Sequence, residues 1–143
     1  MNIFLKSFAS ICMLSVFIFG IPSFADEKSG AHIYKEVCSA CHEKGVVNAP
    51  KLGDQVAWGK LISEGQVIIT AHGYVGVRAM PPRGGKEDLS VEQFSKALNY
   101  LVNKSGGNWS TPSKSMLEEI NKEISIRKKN NKILPFEINN DFK

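Results

Sequence analysis

The sequence is short of cysteine, of charge bias and of any fixed repeat. Three cysteines in 143 residues cannot build the multi-bridge framework of a small secreted scaffold. Eighteen Lys+Arg against fourteen Asp+Glu give a formal net charge of +4, too slight to point to a nucleic-acid partner. Twelve glycines and six prolines follow no period, and the composition excludes collagen, a long coiled coil and wholesale disorder. What remains, 43% hydrophobic residues over this length, suits one ordinary globular domain.

No acidic residue occurs before Asp26. Lys6 precedes an apolar stretch from Phe8 to Gly20, followed by Ile21-Pro22 and by Ser23-Phe24-Ala25 with small residues at its first and third positions. This is the layout of a secretory signal peptide over residues 1–25, with cleavage expected after Ala25 and a periplasmic destination. The stretch falls short of the roughly 20 residues that span a bilayer, so membrane contact is expected only if the segment is retained as an anchor. Cys12 follows the bulky Ile11 inside this stretch and goes with the discarded segment. Processing removes Lys6 and no acid, which lowers the net charge by one and leaves Cys38 and Cys41 as the remaining thiols.

Those two stand in Cys38-Ser39-Ala40-Cys41-His42, the C-x-x-C-H pattern of covalent haem attachment. Two thiols three positions apart on a helical turn reach the two vinyl groups of one porphyrin, and the adjacent histidine turns a ring nitrogen toward the iron. A zinc site would need further soft ligands, and His32 and His72 stand in no zinc-like spacing. A redox dithiol would want β-branched strands before the motif, whereas the residues there read as a helix. One motif implies one covalent haem c.

Helical spacing of Ile33, Tyr34, Val37 and Cys41 predicts a short helix running into the motif. Residues 43–53, with Gly45, Pro50 and Gly53, form a loop. Asp54 caps a second helix with Val56, Ala57, Trp58, Leu61 and Ile62 as its apolar positions and Gly65 as its stop. A third segment runs from Gln66 to His72 and ends at Gly73. Tyr74 to Gly85 then holds Met80-Pro81-Pro82 in an aperiodic loop. Ser90 with Gln93 forms a capping box that opens a helix carrying Phe94, Ala97, Leu98 and Leu101.

Four short helices without a strand period make an all-α haem domain of residues 26–104, small enough that the haem itself would complete its hydrophobic centre. Residues 105–143 form a linker and a C-terminal helical extension. Its helix is expected to open on a capping box at Ser115 and Glu118 and to carry a narrow stripe of Met116, Leu117, Ile120 and Ile124. The apolar Ile133-Leu134-Pro135-Phe136-Glu137-Ile138 that follows is expected to dock, on the back of its own domain more readily than on a partner.

With His42 on one side of the iron, the other side is open to Met80, Met116, His32 or His72. Met80 is the best placed, 38 positions after His42 in a segment stiffened by Pro81-Pro82, and thioether ligation favours reduced iron. Met116 lies on a helical stripe, and His32 precedes the motif on the same helix. His72 is the competitor, through bis-histidine ligation.

At this point residues 33–102 resemble a class I cytochrome c, and in particular the short cytochrome c5 branch. The matching pieces are Tyr34 with the Cys38–His42 motif, Asn48-Ala49-Pro50-Lys51-Leu52-Gly53-Asp54, Trp58, Met80-Pro81-Pro82-Arg83-Gly84-Gly85 and Ala97-Leu98-Asn99-Tyr100-Leu101. The resemblance implies thioethers at Cys38 and Cys41, iron ligation by His42 and Met80, and a hydrogen bond from the far nitrogen of His42 to the Pro50 carbonyl. It also implies crossed first and last helices, with Gly30 allowing the approach, and makes Trp58, Arg78 and Arg83 candidates for propionate contacts. One departure stands out. Relatives of this type often carry a C-x-x-C pair after the Met-Pro-Pro segment, where this chain reads Lys86-Glu87-Asp88-Leu89. The loop after Met80 therefore lacks a disulfide brace, which implies a more labile iron–sulfur bond.

These readings point to a periplasmic single-electron carrier between redox proteins, not an enzyme, with no small-molecule substrate and no nucleic-acid partner. The alternative is a haem c subunit of a larger oxidoreductase complex, docked through the C-terminal extension.

Overall fold

The computed structural model describes residues 29–133. The expected signal segment with its cleavage site, and the apolar residues 134–138, lie outside the described residues. Among these, helices and tight turns make up the architecture, and the isolated antiparallel bridge Val77–Met80 is the only strand-like pairing. The all-α expectation holds. No described helix is long and apolar enough to cross a membrane.

The first helix, α1 (residues 30–42), starts on Ser29, whose hydroxyl accepts from the His32 backbone N–H at 3.2 Å. It is α-helical over Gly30–Ile33, widens into a π turn over Tyr34–Cys38, and returns to α-helix over Ser39–His42. The widened turn is visible in the Ser39 N–H, which donates to the carbonyl of Tyr34 five residues back. Such bulges recur at functional sites, and this one lies directly before the C-x-x-C-H segment. His32 pairs with Glu36 at 3.1 Å on the half-exposed side of this helix, so it takes no part in the interior.

Helix α2 (Gln55–Ser63) is capped by Asp54, which accepts from Ala57 N–H at 3.0 Å. Trp58 is its buried residue, while Val56, expected among the apolar positions, is 83% exposed. Two positions on a helix are about 200° apart, so a helix that buries Trp58 must turn Val56 outward.

Helix α3 (Gln66–Val75) is longer than the spacing predicted. Gly73 does not end it. A Cβ there would stand 2.8 Å from Phe94 Cζ, so this glycine is selected by close packing inside the helix. The stop falls at Gly76, whose φ of 95° lies in the left-handed region.

Helix α4 (Val91–Lys104) opens on the expected Ser90/Gln93 capping box and buries Phe94, Ala97, Leu98, Leu101 and Val102. It crosses α1 so closely that a Cβ on Gly30 would lie 2.1 Å from the Lys96 carbonyl oxygen. Tyr34 and Tyr100 pack at the same crossing with ring centroids 5.3 Å apart. The main core, built from Ile33, Tyr34, Trp58, Ile69, Leu89, Phe94 and the buried residues of α4, has Cys38, Leu52 and Met80 packed against it.

Helix α5 (Lys114–Ile133) begins two residues earlier than the capping-box reading placed it. The Ser113 hydroxyl, not Ser115, accepts from the Met116 backbone N–H, at 3.2 Å, and Ser115 bonds to Ser113 instead. Ile120 and Ile124 form a second core with Ala71 of α3.

The α1–α4 crossing yields a direct expectation. Gly30→Ala forces the helices apart at a backbone carbonyl, with an expected loss of about 1–3 kcal/mol. A urea melt of the haem-loaded protein checks it; an unchanged midpoint would show that the crossing has slack.

Candidate functional site

The site is assembled where α1 ends. His42 is buried, and its Nδ1–H donates to the Pro50 carbonyl at 2.8 Å. A carbonyl only accepts, so this bond places the ring proton on Nδ1 and leaves Nε2 with the lone pair that a metal needs. The loop between them is held at several points. Gly45 N–H donates to Cys41 O at 2.9 Å, Leu52 N–H to His42 O at 2.7 Å, and Ala49 N–H to Val46 O at 3.0 Å. Val47 and Asn48 both take positive φ, 50° and 62°, a strained choice for a β-branched residue that persists only where neighbours over-determine it.

Trp58 sits beside the imidazole, with ring centroids 6.0 Å apart. Its indole N–H donates to the Lys51 carbonyl at 2.9 Å. That bond uses the side chain's single donor and sets Trp58 as a wall of the imidazole. Ser105 closes the back of the loop, accepting from Gly53 N–H at 2.9 Å and donating to Leu101 O at 2.8 Å. Nothing in the spacing marked Ser105, which sits just past α4 among linker residues.

Cys38 and Cys41 are both free. Burial, with a smaller contribution from neighbouring Cys41, pushes the Cys38 thiol up to about 11. Met80 packs against the same core as Cys38. Its backbone pairs with Val77 through Met80 N–H to Val77 O at 2.9 Å and Val77 N–H to Met80 O at 3.1 Å. The methionine's methyl group lies 3.7 Å from where a Gly73 Cβ would be, so its side chain turns in toward α3.

Arg83 follows in a turn with φ 56°. Its guanidinium lies over the Tyr74 ring, 5.5 Å from the centroid, and its Nε is buried without a partner. Tyr34 Oη is likewise buried without a partner; burial foremost, then Glu43, Cys38 and Tyr100, pushes this phenol up to about 12. Arg78, with φ 53°, is on the exposed side of the Met80 loop. A guanidinium with one buried, unpartnered nitrogen, together with an apolar core that carries two cysteines, a tautomer-fixed histidine and an inward thioether, fits a haem whose propionates bring negative charge. The residues present therefore suit the group that the motif implies.

His72 is not in this constellation. It faces α5, where its Nε2 accepts from the Arg127 guanidinium, and its Nδ1 lies 3.8 Å from Glu64. Met116 packs beside Ile120 and Ile124 in the second core. Of the four side chains considered for the far side of the iron, Met80 is thus the one at the main core.

A family model described as cytochrome C oxidase, cbb3-type, subunit III, matches residues 25–101. Cytochrome c-555 of Chlorobaculum thiosulfatiphilum is 36% identical over 84 residues, 56% of this chain and 98% of that protein. Cytochrome c5 of Azotobacter vinelandii is 36% identical over 76 residues, 52% of this chain and 92% of that protein. A cytochrome c solved in an electron transfer complex with nitrite reductase aligns with a TM-score of 0.51 at 37% identity, covering 53% of this chain and 93% of that chain.

The environment of His72 has a measurable consequence. Burial, reinforced by the charge of Arg127, lowers its pKa from 6.5 to about 4. Between those values the unfolded chain binds the proton and the folded chain does not, so stability falls as pH drops through that window. Melting temperature is expected to fall less between pH 6.5 and pH 4 in His72→Gln, which does not titrate, than in the parent; parallel curves would show that His72 is not the group responsible.

Proposed function

The chain belongs to the class I c-type cytochromes of the c5-like type, electron carriers with covalent haem c, and on that premise we propose that it is a periplasmic single-electron carrier with His42 and Met80 as the axial pair. The observation that carries this reading is the His42 Nδ1–H···O=C Pro50 bond at 2.8 Å, which prepares one nitrogen for iron, taken with the inward Met80 on the same core. Cys38 and Cys41 would form the thioethers. Arg83, with its buried unpartnered Nε, is the stronger propionate candidate, and Arg78 the second.

Bound in this way, haem supplies a one-electron couple. The protein's part is to hold both ligands through the change of charge, so that little rearrangement accompanies transfer. The Pro50 carbonyl raises imidazole basicity, and the thioether favours the reduced state. Partners are taken to be redox proteins, as for the cytochrome c solved with nitrite reductase. The role is a carrier's rather than an enzyme's, in keeping with relatives that are electron-carrier cytochromes. Export to the periplasm rests on the Lys6 to Ala25 pattern.

The alternative, a haem c subunit docked through the C-terminal extension, is the less favoured reading. The Ile120/Ile124 stripe of that extension is buried against α3 of the same chain.

Haem-loaded protein is expected to show sharp reduced α and β bands and, when oxidised, the near-infrared thioether-to-iron band. Met80→Ala should abolish that band and admit carbon monoxide rapidly to the reduced form. Survival of the band in Met80→Ala would exclude Met80 as the ligand.

A further inference from the structure

The family match ends at residue 101, so α5 lies outside what that match accounts for. Its position is specific. Helix α3 carries apolar side chains on more than one side. Ile69 belongs to the main core, and Gly73 packs on Phe94 with Met80 beyond it. Ala71, fully buried, faces Ile120 and Ile124 with Val67 and Val75 beside it. One short helix is therefore clamped between the core that holds Met80 and the last helix of the chain.

What α3 does is passed directly to Met80. The helix ends at Gly76, whose N–H donates to His72 O at 3.0 Å, and the next residue, Val77, pairs with Met80. The turn is tight enough that a Cβ on Gly76 would lie 2.9 Å from Pro82 N. On the far side of Met80 the restraint is weaker. Lys86 and Asp88 form an exposed ion pair at 3.3 Å in place of any cross-link, and exposed pairs hold little.

Both ends of the α3–α5 contact are fastened. Before α5, the Ser110 carbonyl accepts from Asn99 Nδ2 at 2.8 Å and from Gln66 Nε2, at the start of α3, at 2.9 Å. Trp109 exchanges two hydrogen bonds with the Asn103 side chain. Toward the far end, Arg127 donates to His72 Nε2 while its Nε lies 3.5 Å from Glu123.

We propose that α5 is a strap that fixes α3 and so keeps Met80 in place on the iron, with Ile120, Ile124 and Arg127 as positioning residues. The proposal rests on the His42/Met80 reading. The strap substitutes, from the side preceding Met80, for the brace that the following loop lacks. Loosening it frees the Met80 loop locally before the domain as a whole unfolds.

Imidazole titration of the full-length oxidised, haem-loaded protein tests this, because imidazole enters only where Met80 gives way. Ile120→Ala with Ile124→Ala is expected to bind imidazole at least about tenfold more tightly than the parent. Arg127→Gln should shift in the same direction by about threefold. Asp54→Ala, which removes the exposed cap of α2, should lower the melting temperature yet leave imidazole affinity within about twofold. If the double variant fails to load haem, Arg127→Gln and Ile124→Val carry the test. Parent-like affinity in the strap variants, with the near-infrared band present in the parent, overturns the strap alone. A parent without that band overturns the His42/Met80 reading and the proposal with it.

Discussion

The structure turns on holding one imidazole at a fixed angle. His42 is the last residue of α1, and a helix terminus alone would leave its ring free to rotate. The Pro50 carbonyl removes that freedom at 2.8 Å, but a carbonyl in a loop is only as fixed as the loop. Leu52 returns to the His42 carbonyl, Lys51 is held by the Trp58 indole, and Gly53 is held by Ser105 from the end of α4. Elements far apart in the sequence are thus recruited to one bond. Two consecutive left-handed residues, Val47 and Asn48, are tolerated because the loop must return over a short span.

The second requirement is a close-packed crossing behind this site. Gly30 against the Lys96 carbonyl lets α1 and α4 meet backbone to backbone, and the tyrosine pair fills the space beside it. Such packing tolerates little change of volume. The half of α1 that bears Cys38, Cys41 and His42 then inherits its position from a contact more than a full helical turn away.

Much of this is legible in the sequence. The C-x-x-C-H spacing, the Asp54 cap, the Ser90/Gln93 box and the Gly30 approach are local patterns, and the structure reproduces each of them. What could not be read depends on partners distant in sequence. Gly73 resembled a helix stop because a glycine chosen for packing against Phe94 and one chosen for its dihedral look alike in one dimension. The acceptor that the Trp58 indole finds, the Lys51 carbonyl, leaves no trace in side-chain identity. His72 resembled a ligand until α5 placed Arg127 on it.

The π turn over Tyr34–Cys38 has a consequence for how such a helix can change over time. One extra residue in a turn shifts the angular phase of everything after it by about 100° relative to a regular helix. The half of α1 that meets α4 and the half that bears Cys38, Cys41 and His42 are therefore indexed independently. Deleting a single residue here would rotate both thiols and the imidazole away together while leaving the crossing intact. In a family tree the positions between Tyr34 and Cys38 should tolerate substitutions more readily than changes of length.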